Sequence, residues 1–111
     1  MRNKKTQSEM ERITNSIRRL KDDICRIGEM RPGSLSQQMR KSKEKYGSYW
    51  QLSYTYRGKG KTEYIRETFV EQVRAETVNF KRYRKLSDQL VELSIELSRL
   101  KMEVAKKAES G

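Results

Sequence analysis

Residues 46–66 read YGSYWQLSYTYRGKGKTEYIR, and this stretch decides how the chain folds. It holds five of the six tyrosines and the only tryptophan. Aromatic and polar residues alternate along much of it, as expected for strands whose side chains point to opposite faces at every second position. A short segment of glycines and cations divides the stretch. The pattern therefore predicts a two-stranded β-hairpin.

The aromatic positions also predict the register of this hairpin. If Tyr56 pairs with Thr62 across a five-residue loop, Tyr54 lies opposite Tyr64 and the aromatic faces coincide. The two glycines of that loop supply positive φ angles. A lone hairpin is marginally stable in water, so we expect it to pack on the flanking helices or on a second copy. The loop also holds three cations, called the tip cations below: Arg57, Lys59 and Lys61.

Long helices with apolar residues at alternating spacings of three and four are predicted on both sides of the hairpin. These spacings favour a long antiparallel coiled-coil pair, so the predicted fold class is mostly α with a small, basic, two-stranded β-hairpin between the helices. The first heptad stripe is Met10, Ile13, Ile17, Leu20, Ile24 and Ile27, and the second is Leu86, Leu90, Leu93, Leu97, Leu100 and Val104.

Capping-box spacings and the Pro32–Gly33 pair predict the element boundaries. Residues 34–39 are expected to form one further helical turn. The predicted organisation is a basic tail at 1–5, a single domain at 6–106 and a frayed tail at 107–111. Within the domain we expect a helix at 6–30, a linker at 31–45, the hairpin at 46–66 and a helix at 68–106.

Charge is the strongest global signal, with 26 Lys and Arg against 15 acids and a net charge of +11. Most of the excess falls between residues 31 and 85, around the hairpin. A concentrated positive field favours a polyanion, most often nucleic acid, although a basic surface kept for solubility has the same composition. The candidate nucleic-acid-binding residues are Arg40, Lys41, Lys43, Lys45, Arg57, Lys59, Lys61, Lys81, Arg82, Arg84 and Lys85.

The composition argues against an enzyme. The chain has no histidine, a single cysteine and no phosphate-binding glycine motif, because GKGKT lacks the required spacing. We therefore predict no catalytic residue, no metal ligand and no cofactor. No apolar run approaches the ~20 residues that span a bilayer, and the basic N-terminus is not followed by an apolar signal segment. A cytoplasmic protein without a membrane partner is expected.

The segments RPGSLS (31–36), YGSYWQLSYTYRGKGKTEYI (46–65) and VNFKRYRKL (78–86) resemble a known family. That family consists of short, functionally uncharacterised bacterial and archaeal proteins, often encoded near mobile elements. The resemblance covers residues 30–97 and implies a mobile-element or phage setting. Relatives carry a cysteine cluster, and no zinc site is transferred because this chain has other residues there: Met39, Lys41, Ser42 and Lys45.

Two functions remain open at this point. The first is a nucleic-acid-binding accessory protein, with DNA favoured over RNA, that contacts phosphates through the hairpin and the start of the second helix. The second is a coiled-coil adaptor or inhibitor that binds a larger protein partner. A homodimer through the heptad stripes is compatible with both. The hairpin aromatics either pack on the helices or stack on unpaired bases.

Overall fold

A computed structural model describes residues 2–39 and 47–110, with side chains from Lys5 onward. The described part is mostly helical, at 66%, and also contains a small three-stranded antiparallel sheet. The prediction of a mostly α chain with a small β element is confirmed at this level. In chain order the elements are α1 (Arg2–Cys25), β1 (Ser34–Met39), β2 (Ser48–Tyr56), β3 (Lys59–Ile65), a 3-10 turn (Glu67–Phe69) and α2 (Val70–Ser110).

The helix boundaries differ from the predicted ones. Helix α1 begins at Arg2 rather than Thr6 and ends at Cys25 rather than near Met30. The backbone amide of Arg31 donates to the carbonyl of Glu76 at 3.2 Å, which ties this non-helical connection to α2. At the other end, α2 is helical to Ser110, where a frayed tail was expected from residue 107.

The sheet has three strands in the order β1–β2–β3, so the prediction of a two-stranded hairpin is wrong in strand number. Residues 34–39 were expected to form a helical turn, but they form β1. Every residue of β1 pairs with a residue of β2. Leu35 lies directly opposite Leu52, which is fully buried. This pairing buries a leucine and gives hydrogen-bond partners to backbone groups of β2. Together these gains outweigh the weak local preference for one helical turn.

The predicted hairpin register is also wrong. Tyr56 pairs with Lys59 across a two-residue turn, so Tyr54 lies opposite Lys61 and Gln51 lies opposite Tyr64. Shortening the loop by an odd number of residues moves Tyr64 to the other face of the sheet. Arg57 and Gly58 form the turn with φ angles of 53° and 77°, the geometry of tight hairpin turns that follow the strand twist. Local turn geometry therefore overrides the matching of aromatic residues.

One face of the sheet packs on the first turns of α2, and we call it the packed face. Its core consists of Leu52, Ile65, Val70 and Val73, all buried. Leu35, Trp50 and Tyr54 pack around this core. Because helix residues 70 and 73 are three apart, both point toward the same face of the sheet. The tryptophan of the hairpin and one of its tyrosines, Tyr54, thus pack on this face.

The chain divides into two compact units. The sheet unit, residues 27–82, holds the three strands and the beginning of α2. The helical unit, residues 1–26 and 83–111, holds α1 and the rest of α2. Within the helical unit, Ile13 is buried. The other heptad-stripe residues of this unit are half-buried, both those from Met10 to Ile24 and those from Leu86 to Val104. In the part of the chain that is described, no helix has the length and apolarity needed to cross a membrane.

Candidate nucleic-acid interface

The three tip cations lie at the exposed end of the hairpin. Only Arg57 lies in the turn, whereas Lys59 and Lys61 belong to β3, so the predicted five-residue loop is replaced by strand. All three are exposed, and residues 54–62 contain no acid. The guanidinium carbon of Arg57 lies 5.1 Å from the centroid of the Tyr56 ring, which is itself 50% exposed. The tip therefore presents three cations and one ring side by side.

The face of the sheet opposite the packed face, called here the open face, is uncharged in every described strand position. Ring centroids of Tyr49 and Tyr64 lie 6.3 Å apart on it, with the rings tilted by 34°. Tyr64 is 61% exposed and Tyr49 is half-buried. Apart from these rings, the open face holds only small or uncharged polar residues: Ser34, Ser36, Gln38, Gln51, Ser53, Thr55, Gly60 and Thr62.

An ion-pair network occupies the packed face beyond the apolar core. Arg31 Nη1 donates to Glu63 Oε2 at 3.1 Å, and the Tyr54 hydroxyl donates to Glu63 Oε1 at 2.8 Å. These bonds, first from Arg31 and then from Tyr54, hold the pKa of Glu63 below its usual value. The same carboxylate raises the pKa of Tyr54, because the phenol must stay protonated to donate. The Arg31 charge is therefore compensated inside the fold.

Arginines also stack on the rings of the packed face. Arg31 lies over the Tyr54 ring at 5.0 Å, and Arg74 from α2 lies over the Trp50 ring at 5.5 Å. Sequence reasoning missed both of these arginines as structural residues. The RPG motif that contains Arg31 was one available signal, since a non-helical connection beginning there must pack on something. These contacts place the half-buried side chains of Trp50 and Tyr54 on the packed face.

The remaining predicted site residues fall in three places. Lys81 and Arg82 are exposed on α2 within the sheet unit, and Arg84 and Lys85 are exposed within the helical unit. All four lie more than ten residues beyond Val70, where α2 begins, and their contact with phosphates stays a prediction. The other four candidates lie outside the described residues: Arg40, Lys41, Lys43 and Lys45.

Fold and surface together define a small helix–sheet–helix protein with a cationic hairpin tip. The chain belongs to the family described as Domain of unknown function (DUF6788), whose model matches residues 10–75, more than half of its length. The matched range contains all three strands and the beginning of α2. No curated protein and no solved structure matches the chain.

Proposed function

We propose that this protein is a nucleic-acid-binding accessory protein that contacts phosphates through its hairpin tip, with DNA favoured over RNA. The observation that supports it is the tip itself, where three exposed cations stand together without an acid between residues 54 and 62. Elsewhere in the sheet unit, Arg31 is held by a carboxylate and Arg74 is stacked on a ring. Lys59 and Lys61 are exposed on the edge strand β3, and Arg57 is exposed while its guanidinium lies over the Tyr56 ring.

The mobile-element or phage setting rests on the resemblance of the RPGSLS, YGSYWQLSYTYRGKGKTEYI and VNFKRYRKL segments. It remains a prediction. A cytoplasmic location is likewise predicted from the composition alone.

The test removes the tip charge while keeping the turn. In the triple variant Arg57→Asn, Lys59→Gln, Lys61→Gln, asparagine suits the positive φ at position 57. Each phosphate contact contributes about 0.9 to the slope of log affinity against log salt for duplex DNA, so the slope should flatten by roughly 2 to 3. Fluorescence anisotropy with unrelated duplexes at several salt concentrations measures it, and all duplexes should weaken about equally.

A matched control is Lys21→Gln with Lys101→Gln and Lys107→Gln, which removes three exposed cations from the helical unit. This variant has the same net charge as the tip variant. If both variants weaken binding equally, net charge alone drives binding and the tip is not a site. Unchanged affinity and slope in the tip variant would also reject the proposal.

We further propose that α1 and the C-terminal part of α2 form the antiparallel coiled-coil pair predicted from the heptad spacings. Leu20 of α1 and Leu93 of α2 line one groove in the helical unit, which supports contact between the two stripes. A lysine in place of Leu90 would put a charge into this apolar stripe, where an unpaired charge is costly. Circular dichroism should show a lower melting temperature for Leu90→Lys, and an unchanged one would contradict the pairing.

The second function predicted from the sequence is an adaptor or inhibitor that docks on a larger protein. An apolar stripe exposed on α2, which includes Val91, Ile95 and Met102, is the surface that would favour it. Co-purification of one acidic protein, with no DNA binding at any salt concentration, would favour the adaptor over the nucleic-acid-binding protein.

A further inference from the structure

The open face of the sheet has the composition of a surface for a flat, polar ligand. Among its described strand positions it holds two tyrosines and otherwise only serine, threonine, glutamine and glycine. The buried centre of a protein–protein interface is more apolar than this face and is depleted in serine. Here Gln51 of the middle strand lies between Ser36 and Tyr64. Hydrogen-bonding groups thus surround an aromatic pair.

No acid opposes an anionic ligand at the described strand positions of the open face, and the carboxylate of Glu63 is engaged on the packed face. Arg66 follows β3 with extended backbone, at φ −65° and ψ 141°. Arg66 is exposed and lies two residues beyond Tyr64, just after the end of β3. An exposed cation therefore follows the strand that carries Tyr64.

We propose that the open face binds unpaired bases of single-stranded nucleic acid, with Tyr64 as a stacking surface and Arg66 on the adjoining phosphate. This inference rests on the proposed function and adds the strand state of the ligand. Every base has a π face, and stacking on an exposed ring is tolerant of sequence. Serine, threonine and glutamine side chains on the same face offer donors and acceptors to base edges.

The experiment compares two labelled probes of the same length, an oligothymidylate single strand and a mixed-sequence duplex, with a uridine oligomer as the RNA arm. Tyr64→Ala should weaken single-strand binding roughly 5- to 100-fold, the range found for loss of one stacked base. It should leave duplex binding within about 2-fold. Tyr64→Phe keeps the ring and should bind the single strands like the parent. Phe69→Ala removes an aromatic that is 52% exposed outside the sheet and serves as the matched control.

The outcomes separate this inference from the proposed function. If the tip variant weakens both probes while Tyr64→Ala weakens neither, the tip is a site and the open face is not. If Tyr64→Ala and Phe69→Ala weaken single-strand binding equally, the effect is not specific to the open face, and the inference fails. If the parent protein binds neither probe at low salt, both proposals fail.

A different observation, on α2, supports a second inference. Val91, Ile95 and Met102 are 57%, 48% and 61% exposed, and with Ser98 they recur at spacings of 4, 3 and 4. These four residues, called here the outer stripe, line a shallow groove along the helix. They are distinct from the second heptad stripe, whose residues are half-buried. Heptad spacing on an exposed face is typical of a helix that packs on another helix.

The charges beside the outer stripe indicate which helix packs there. On one flank α2 carries two acids and then two bases, all exposed: Asp88, Glu92, Arg99 and Lys106. If a second α2 runs antiparallel about an axis between Glu96 and Leu97, Val91 faces Met102 of the second copy. The same register brings Glu92 close to Arg99 of the second copy and Asp88 close to Lys106 of the second copy.

We also propose that the outer stripe is an antiparallel interface between two copies of this chain. Sedimentation velocity should show a dimer for the parent at about 100 µM and a monomer for Ile95→Lys, since a charge in an apolar interface is costly. Glu92→Arg and Arg99→Glu should each weaken the dimer, and the double variant should restore it. Circular dichroism checks that each variant remains helical.

Each outcome decides the matter. A monomeric parent, or a dimer that survives Ile95→Lys, overturns the interface. Loss of the dimer in Ile95→Lys without rescue in the double charge variant overturns the antiparallel register. Loss of the dimer only in Leu90→Lys would assign dimerisation to the second heptad stripe, and the outer stripe would then be no interface.

Discussion

The two faces of the sheet are built from the same three strands, but one packs on α2 and the other is open to solvent. The packed face places Leu52 and Ile65 against α2 and pairs Glu63 with Arg31. The open face exposes Tyr64 and has no charge in its described strand positions. Because neighbouring residues in a strand point to opposite faces, one residue step separates a packed position from an exposed one. Substitutions at adjacent positions can therefore test the packing and the proposed binding separately.

The largest expected effect comes from Leu52, which has no exposed surface. Leu52→Ala removes buried methyl groups and leaves a cavity, which typically costs about 2–5 kcal/mol of unfolding free energy. Its neighbour Gln51 lies on the open face, and Gln51→Ala should change stability by less than about 0.5 kcal/mol. Urea denaturation of both variants measures the contrast. Similar losses in the two would mean that the open face is also packed.

Gly33 gives the next largest effect, because the packed face leaves no room for a side chain there. Its φ is 144°, and an added Cβ would lie 2.7 Å from Leu52 Cδ1 and 3.3 Å from the Ser53 carbonyl oxygen. Gly33→Ala should cost about 1–3 kcal/mol through crowding, with backbone strain in addition. Gly60→Ala is the matched control, since a Cβ there meets nothing within 4 Å. Equal melting temperatures for both variants would contradict this geometry.

Glu63 makes the packed face sensitive to acid. Its pKa is lower in the folded chain than the usual 4.5, so the ionised form stabilises the fold above that pH. That stabilisation disappears as the pH falls through the folded-state value. Glu63→Gln should therefore show a smaller drop in melting temperature between about pH 6 and about pH 3 than the parent. Parallel curves for the two proteins would show that the carboxylate is not paired in solution.

The smallest expected effect on stability is at the tip. Arg57→Asn replaces a residue at φ 53° with one that tolerates this conformation better, but removes the contact with the Tyr56 ring. The two effects are of similar size, so the melting temperature should change by the equivalent of less than about 0.5 kcal/mol. A loss above 1 kcal/mol, on the order of a buried contact, would make Arg57 a structural residue.

Local patterns in the sequence were enough to predict some of this molecule. Spacings of three and four predicted two long helices, and alternation around residues 46–66 predicted paired strands with cations at their turn. Each of these signals lies within one element and depends on helix or strand periodicity. The element boundaries were less accurate, because α1 ends five residues before the predicted stop near Met30.

Only the tertiary structure decided the third strand, the register and the assignment of the faces. β1 exists because residues 34–39 pair with a strand that lies across a long connection, and no local pattern in SLSQQM requires this. The two-residue turn at Arg57 and Gly58 shifted Tyr64 to the open face, away from Trp50. Arg31 forms an ion pair with Glu63, which lies thirty-two positions further along the chain. Pairings between distant residues depend on the packing of the whole unit. Periodicity within one element could therefore predict cations at a turn. It could not distinguish Tyr54, which packs on the core, from Tyr64, which faces solvent.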